Sequence, residues 1–141
     1  MIRSLVTAIV DTGPLLAAAD QDDPVHMQVV AVLRESRRRL VIPTLVVAEA
    51  SYLIGSRLGP GAEARFLEEL AYWHVIAPEP EDWSRISALV RQYRDFPLGG
   101  TDASVIALAE RLGTDLIITL DRRHFAAVRP RHCPAFLLLP E

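Results

Sequence analysis

The first apolar segment of the chain, residues 5–10, ends at the carboxylate of Asp11, and a second apolar stretch follows it. Its length and its β-branched residues predict a buried strand, because a helix would need a longer run. Pro14 suits the first turn of a helix, where its missing N–H costs nothing. Asp11 is therefore expected where a strand passes into a helix, at the sheet edge where ligands collect in open α/β folds. Taken alone, Asp11 or Thr12 has a simpler alternative role, which is to cap that helix without any function in a site.

Strand and helix patterns alternate along the rest of the chain. Further strands are predicted at residues 40–42, 73–76, 116–120 and 136–139. Helices are predicted at residues 15–19, from Pro24 to the basic run 37–39, and at 44–57, 62–70, 80–93 and 101–112. The basic run is expected at a solvated helix end, with phosphate contact as the alternative. We therefore predict a single domain over residues 1–141, of the α/β class, with a mainly parallel sheet between two helical layers.

The composition excludes several classes of protein. Half of the 141 residues are hydrophobic and 23% are charged, so disorder is not expected. No apolar stretch reaches the roughly 18 residues of a membrane helix, and the apolar run after Arg3 ends at Asp11 without the cleavage site of a signal peptide. Cys133 is the single cysteine, so we expect no internal disulfide and a cytoplasmic location. A net charge of −3 argues against a protein that coats nucleic acid, but not against a nuclease with an acidic cleft.

Glu49 is the one acidic residue of the helix predicted over residues 44–57, which is apolar almost all round. Its neighbours at helical spacing are all large and hydrophobic: Leu45, Val46, Tyr52 and Leu53. We therefore expect Glu49 on the inward-facing stripe of this helix. A carboxylate in that position is costly unless it is paired or bound to a cation, which favours a functional role.

Two further acidic residues are expected near Asp11. Asp121 directly follows the clearest strand of the chain, as Asp11 follows the first, and Asp102 begins a helix beside the same edge. Taken alone, Asp102 has a simpler alternative role, in which its charge interacts favourably with the dipole at the helix N-terminus. If the strands are neighbours, the three aspartates and Glu49 converge. Two carboxylates about 4 Å apart repel by about 4 kcal/mol at an effective dielectric near 20, so such a cluster must take up protons or bind a cation.

Oxygen ligands of this kind indicate both the ion and the chemistry. Carboxylates favour Mg²⁺ or Mn²⁺ over zinc, and the four histidines have no zinc-ligand spacing, so we assign them to packing or to the surface. A hard divalent ion activates water and stabilises charge on phosphoryl oxygens, which fits hydrolysis of a nucleic-acid phosphodiester. The sequence has neither a GxxxxGKS/T loop nor a GxGxxG motif after a strand, which excludes the commonest nucleotide-binding sites.

Four segments together resemble the PIN-domain ribonucleases, and in particular the VapC toxins of bacterial type II toxin–antitoxin pairs. They are Ile9-Val10-Asp11-Thr12, Val47-Ala48-Glu49, Leu98-Gly99-Gly100-Thr101-Asp102-Ala103 and Thr119-Leu120-Asp121-Arg122-Arg123-His124-Phe125. The resemblance implies a PIN-like fold in which Asp11, Glu49, Asp102 and Asp121 are the catalytic acids that hold the metal. It also implies a Mg²⁺-dependent endoribonuclease in which Mn²⁺ can substitute, an RNA substrate, a homodimer, and a small antitoxin whose tail occupies the active-site groove.

One position departs from the family pattern. VapC-like chains often place Ser or Asn two residues after the first Asp, where this chain has Gly13, so the missing contact would fall to another side chain such as Thr12.

Four residues are weaker candidates for substrate contact. We expect Arg122 and Arg123 to touch flanking phosphates, with a plain surface role as the alternative. Thr12 and Thr119 are expected to orient a water or a carboxylate near the substrate. Asp115 precedes the strand at 116–120 and is therefore placed at the opposite edge of the sheet, on the surface.

Two other functions stay open from the sequence. One is a PIN-like binding or assembly module that has lost its chemistry, which only Gly13 supports. The other is a housekeeping RNA-processing nuclease that has no antitoxin.

Overall fold

Five parallel strands form one sheet in the computed structural model, which describes residues 5–141. The strands are β1 (Val6–Val10), β2 (Arg38–Pro43), β3 (His74–Ile76), β4 (Leu116–Ile118) and β5 (Leu137–Leu139). Their order across the sheet is β3-β2-β1-β4-β5, and every neighbouring pair is parallel. The α/β fold with a parallel sheet, predicted from the sequence, is therefore confirmed. Arg3, which entered the signal-peptide argument, lies outside the described residues.

Helices connect the strands and cover both faces of the sheet. They are α1 (Thr12–Ala19), α2 (His26–Leu33), α3 (Thr44–Leu58), α4 (Pro60–Glu69), α5 (Pro80–Gln92), α6 (Gly100–Leu112) and α7 (Arg122–Ala127), with a 3-10 turn at Leu70–Tyr72. Ala8, Ile9 and Val10 of the central strand β1 are all fully buried. Because successive strand residues point to opposite faces, both faces of β1 must be covered.

The helix α6 lies closest to the centre of the fold. All seven residues from 103 to 109 are buried, and the helix contacts both β1 and β2. It ends at Gly113, whose φ of 69° is left-handed backbone that glycine adopts without strain. This burial fixes the beginning of α6, which carries Asp102, against the end of β1.

The basic run at residues 37–39 is not a helix end, and that prediction was wrong. Helix α2 ends at Leu33, and Arg38 and Arg39 already belong to β2, where they pair with Val6 and Thr7 of β1. The strand pairing is favoured because the ladder satisfies the backbone groups of Arg38 and Arg39. The Arg38 guanidinium donates to the Val32 carbonyl (3.0 Å), and the Arg39 side chain is exposed.

The start of α2 also differs from the prediction. The Asp23 carboxylate accepts a hydrogen bond from the Val25 N–H (2.9 Å), which makes a turn around Pro24, and the helix begins only at His26. An aspartate that bonds to the backbone two residues on stabilises a turn in competition with a helix.

Helix α7 was not predicted from the sequence, although Asp121 caps it. The His124 N–H donates to Asp121 Oδ1 (3.3 Å), and Phe125 packs fully buried beneath the helix. With six residues, α7 is too short to show a hydrophobic period. Within the described residues, the helices are all too short or too polar to cross a membrane.

Candidate active site

All four acidic residues singled out from the sequence line one cavity of about 600 Å³. Each comes from a different element: Asp11 follows β1, Glu49 lies on α3, Asp102 is in the first turn of α6, and Asp121 caps α7. Because β1 and β4 are hydrogen-bonded neighbours, their two carboxyl ends meet at this point of the sheet. The four side chains therefore line the same cavity, as expected for neighbouring strands. Asp102 and Asp121 offer ligand oxygens within 4.8 Å of each other, whereas Asp11 and Glu49 belong to no such group of three or more ligands among the described residues.

Asp11 is buried and held by its neighbours. Only 5% of the residue is exposed. The Thr119 hydroxyl donates to Asp11 Oδ2 (2.8 Å) and accepts from the Asp121 N–H (2.9 Å), so one side chain ties the two strand ends together. Burial raises the pKa of Asp11, and hydrogen bonds from the Thr12 backbone and from the Thr119 hydroxyl oppose that rise. Asp11 occupies the N-cap position of α1, but its side chain makes no capping hydrogen bond to the described backbone of that helix. Simple helix capping therefore does not explain this residue.

Asp102 carries the strongest electrostatic signal of the site. Its pKa is raised to about 6 by burial and by the charges of Asp11, Asp121 and Glu49, while His124 opposes the shift. The direction means that the fold disfavours the ionised form when no cation is present. A carboxyl group in this state is one that a divalent cation would stabilise.

Glu49 reaches the cavity from an exposed position, so its placement on the inward stripe was wrong. The buried face of α3 is formed by Val46, Ala50 and Ile54, whereas Glu49 is exposed and Tyr52 is 72% exposed. A helix that is apolar almost all round does not reveal which face is buried. The Glu49 charge still contributes to raising the pKa of Asp11 and of Asp102.

His124 joins the acidic residues, although the sequence analysis assigned all histidines to packing or to the surface. Its Nδ1 lies 2.5 Å from Asp121 Oδ2 and 3.4 Å from Asp102 Oδ2. One ligand atom from each of these three side chains fits within a mutual distance of 4.8 Å. The spacing of three residues from Asp121 could have indicated this, but only if α7 had been recognised as a helix.

Comparisons with known proteins agree with this geometry. The family model of the PIN domain matches residues 8–129. The chain belongs to the PIN-domain family. It is also similar to Ribonuclease VapC26 of Mycobacterium tuberculosis, with 38% identity over 134 residues, which cover 94% of this chain and 99% of that protein. The resemblance proposed from the sequence is thereby confirmed.

Solved structures of VapC and VapBC proteins share the fold. The sarcin-ricin loop cleaving toxin VapC20 of Mycobacterium tuberculosis has a TM-score of 0.72 at 15% identity, covering 78% of this chain and 86% of the other. A DNA-bound VapBC of Salmonella typhimurium has a TM-score of 0.69 at 17% identity, covering 95% and 97%. A toxin–antitoxin complex from Klebsiella pneumoniae has a TM-score of 0.65 at 19% identity, covering 92% and 99%.

The two threonine candidates of this PIN domain differ in their access to the cavity. Thr119 is fully buried, so its hydroxyl positions Asp11 and cannot reach a substrate in this conformation. Thr12 lines the cavity, and its buried hydroxyl has no hydrogen-bond partner among the described residues. A buried polar atom without a partner beside a binding cavity is a position for a ligand or a water.

Both arginine candidates make contacts with groups other than the four acidic residues. The Arg122 guanidinium donates to the carbonyl oxygens of Pro140 (2.9 Å) and Leu138 (3.3 Å), so it fastens the end of the chain. Arg123 is exposed, with its guanidinium 5.3 Å from the centre of the Phe96 ring. Substrate contact by either arginine stays a prediction.

Gly13, the departure from the family pattern, is explained by its neighbour Leu120. A Cβ at Gly13 would lie 3.3 Å from the Cβ of Leu120, tighter than ordinary van der Waals contact. Leu120 therefore fills the space next to this position, where a serine or asparagine side chain would begin. Asp115 lies before β4, at the edge of the sheet opposite the cavity, as expected.

Proposed function

We propose that this PIN domain is a divalent-metal-dependent endoribonuclease whose metal ligands are Asp11, Glu49, Asp102 and Asp121. The observation that carries the proposal is their convergence from four separate elements on one cavity, with the pKa of Asp102 raised to about 6. A protein that used these groups only for stability would pair them with arginines, as Arg85 pairs with Glu110 at 2.7 Å elsewhere in the chain. The donor set fits a cation.

The oxygen donors favour Mg²⁺, with Mn²⁺ as a substitute. A bound divalent ion supplies an activated water and offsets the charge that develops on a phosphoryl oxygen. The chain's own residues define the site: Thr119 fixes the orientation of Asp11, the burial of α6 fixes Asp102, and Thr12 offers an unpaired hydroxyl to the substrate or its water.

RNA is the proposed substrate, and a toxin–antitoxin pair is the proposed context. Both proposals are supported by the 38% identity to a protein named Ribonuclease VapC26 and by the similarity of fold to VapBC toxin–antitoxin complexes. We further propose that the chain acts in the cytoplasm as a homodimer and is inhibited by a small cognate antitoxin. The dimer can be tested by light scattering on the purified protein.

Cleavage of purified RNA tests the enzymatic proposal. The wild-type protein should cleave structured RNA with Mg²⁺ or Mn²⁺ and should stop when EDTA is added. Asp11→Asn should lose the activity and keep the near-UV circular dichroism of the wild type, while Asp115→Asn, at the opposite sheet edge, should keep both. Cleavage that survives EDTA and Asp11→Asn would sink the proposal. A protein that cleaves no RNA and binds no Mn²⁺ in calorimetry would instead be an inert PIN-like module.

Expression in cells separates a toxin from a housekeeping nuclease. Induction of the wild type should arrest growth, and co-expression of a short reading frame from beside this gene should relieve the arrest. Asp102→Asn should not arrest growth, and mapping of new RNA 5′ ends against this variant would identify the RNA and the cleavage site. Unimpaired growth at a high level of active enzyme would favour the housekeeping nuclease.

A further inference from the structure

We propose that His124 is a nitrogen ligand of the metal site and shifts its preference from Mg²⁺ towards Mn²⁺ and later first-row ions. The inference rests on the proposed function, because it requires a cation among the four carboxylates. It assigns to His124 a role that the acidic residues alone do not supply.

The imidazole nitrogen Nδ1 of His124 lies beside two of the four carboxylates. Nδ1 of His124 lies 3.4 Å from Asp102 Oδ2 and 2.5 Å from Asp121 Oδ2. Two ligand atoms at about 2.1 Å from one ion, on adjacent octahedral positions, are about 3 Å apart. The distance from His124 Nδ1 to Asp102 Oδ2 is close to this spacing. The shorter distance to Asp121 Oδ2 requires the His124 and Asp121 side chains to separate by about half an ångström. Asp121 is 40% exposed in its side chain, which leaves it room for that movement.

The close contacts of His124 Nδ1 with the two carboxylates are not hydrogen bonds. His124 Nδ1 is buried from solvent, and no atom of the described chain meets it with hydrogen-bond geometry, despite the short distance to Asp121. A buried ring nitrogen normally has a hydrogen-bond partner, so an atom without one that faces two carboxylates is placed for a ligand.

The His124 ring is held in place by aromatic packing and by the cap of α7. The Phe96 ring meets the His124 ring edge-on, with centroids 5.2 Å apart, and the Arg123 guanidinium lies 5.3 Å from the centroid of Phe96. The His124 backbone N–H is fixed by Asp121 Oδ1 at 3.3 Å. Aromatic packing and the helix cap therefore hold the imidazole in the direction of the acidic cluster, as preorganised ligands require.

A nitrogen ligand changes which ion the site prefers. Mg²⁺ binds oxygen almost exclusively and keeps much of its water, whereas imidazole suits transition metals. For a given set of nitrogen and oxygen ligands, affinity rises from Mn²⁺ towards Cu²⁺ along the first-row series. The four carboxylates alone would accept Mg²⁺ and Mn²⁺ with little distinction, so the discrimination is the measurable property that His124 adds.

Pulsed electron paramagnetic resonance of the Mn²⁺-loaded full-length protein tests the ligand directly. The wild type should show hyperfine coupling to a directly bound ¹⁴N nucleus, and the coupling should change to that of ¹⁵N when histidine is labelled. His124→Asn, whose amide binds through oxygen, should lose the coupling. The matched control is His74→Asn, which removes an exposed histidine on β3 and should keep the coupling.

Calorimetry with Mn²⁺ and Mg²⁺ gives the second readout. His124→Asn should weaken Mn²⁺ binding about tenfold or more, on the scale found for groups around metal sites, while Mg²⁺ binding changes by less than about threefold. The ratio of the Mn²⁺ affinity to the Mg²⁺ affinity should therefore fall in His124→Asn and stay at the wild-type value in His74→Asn.

The outcomes separate the inference from the proposed function. Mn²⁺ bound to the wild type without nitrogen coupling overturns the role of His124 and leaves the carboxylate site intact. Failure of the wild type to bind Mn²⁺ at all overturns the metal site itself. If His124→Asn does not fold, the ¹⁴N and ¹⁵N spectra of the wild type still decide the question.

Discussion

Replacement of Asp102 by asparagine is expected to stabilise the metal-free protein at neutral pH, although it removes part of the proposed metal site. Burial and three neighbouring carboxylates raise the pKa of Asp102 from 3.8 to about 6. A raised pKa means that the folded protein disfavours the charged form, so the ionised carboxylate destabilises the fold above that pH. Asparagine has nearly the same shape and no charge.

The magnitude follows from the shift. One pKa unit corresponds to about 1.4 kcal/mol, so ionisation of Asp102 in the folded state costs about 2–3 kcal/mol. The side chain is 20% exposed, so solvent screens part of this effect, and the lower end of the range applies if screening is strong. Between about pH 4 and pH 6 the folded protein binds more protons than the unfolded chain, so wild-type stability falls as the pH rises through this window. Below about pH 3 the group is protonated in both states, and the difference between variant and wild type should vanish.

Urea unfolding in EDTA at several pH values between 3 and 8 checks this prediction. The free energy of unfolding of Asp102→Asn should exceed that of the wild type by about 2–3 kcal/mol at pH 7 and by about zero at pH 3. Asp95→Asn, which changes an exposed loop aspartate, should show neither difference. With Mn²⁺ in place of EDTA the order should reverse, because only the wild type gains fully from ion binding. Equal stabilities of Asp102→Asn and wild type in EDTA at pH 7 would refute the electrostatic argument.

Three further substitutions probe the scaffold and are read by urea unfolding. Thr119→Val should lower the free energy of unfolding by about 2 kcal/mol and should weaken Mn²⁺ binding. Thr114→Val, at the other end of β4, should destabilise the fold without changing the Mn²⁺ affinity. Equal Mn²⁺ affinities of the two variants would contradict the positioning role of Thr119. Gly113→Ala should cost about 1 kcal/mol because its φ is 69°, and no loss would show that the backbone there relaxes freely. Arg85→Met should cost about 2–3 kcal/mol, because Glu110, whose side chain is 10% exposed, would keep only the hydrogen bond from the Arg131 N–H. A change below about 1 kcal/mol would show that solvent replaces the pair.

The acidic residues differ in how far the sequence could predict them. Asp11 and Asp121 each follow a strand pattern, and a strand end is a local feature that fixes the edge of the sheet on which a side chain lies. Asp102 follows a glycine pair that begins a helix, which is equally local. Glu49 was expected near the other acidic residues by a wrong argument: it lines the cavity from an exposed position, not from the core.

The errors have a common physical origin in competition between local signals. The basic residues before β2 fit a helix end by charge, yet strand pairing with β1 satisfies their backbone. Asp23 and Pro24 fit a helix start, yet the Asp23 side chain closes a turn with Val25. In each case two local structures were compatible with the residues, and long-range packing decided between them.

Local pattern alone determined the α/β class, the approximate positions of the strands and the sheet edge at which Asp11, Asp102 and Asp121 lie, because apolar runs and strand ends are properties of neighbouring residues. Only the tertiary structure decided which face of α3 turns inward, and only it joined His124 to Asp102, which lies 22 positions earlier in the chain. Those features depend on how elements pack, and packing is a property of residues that the sequence keeps apart.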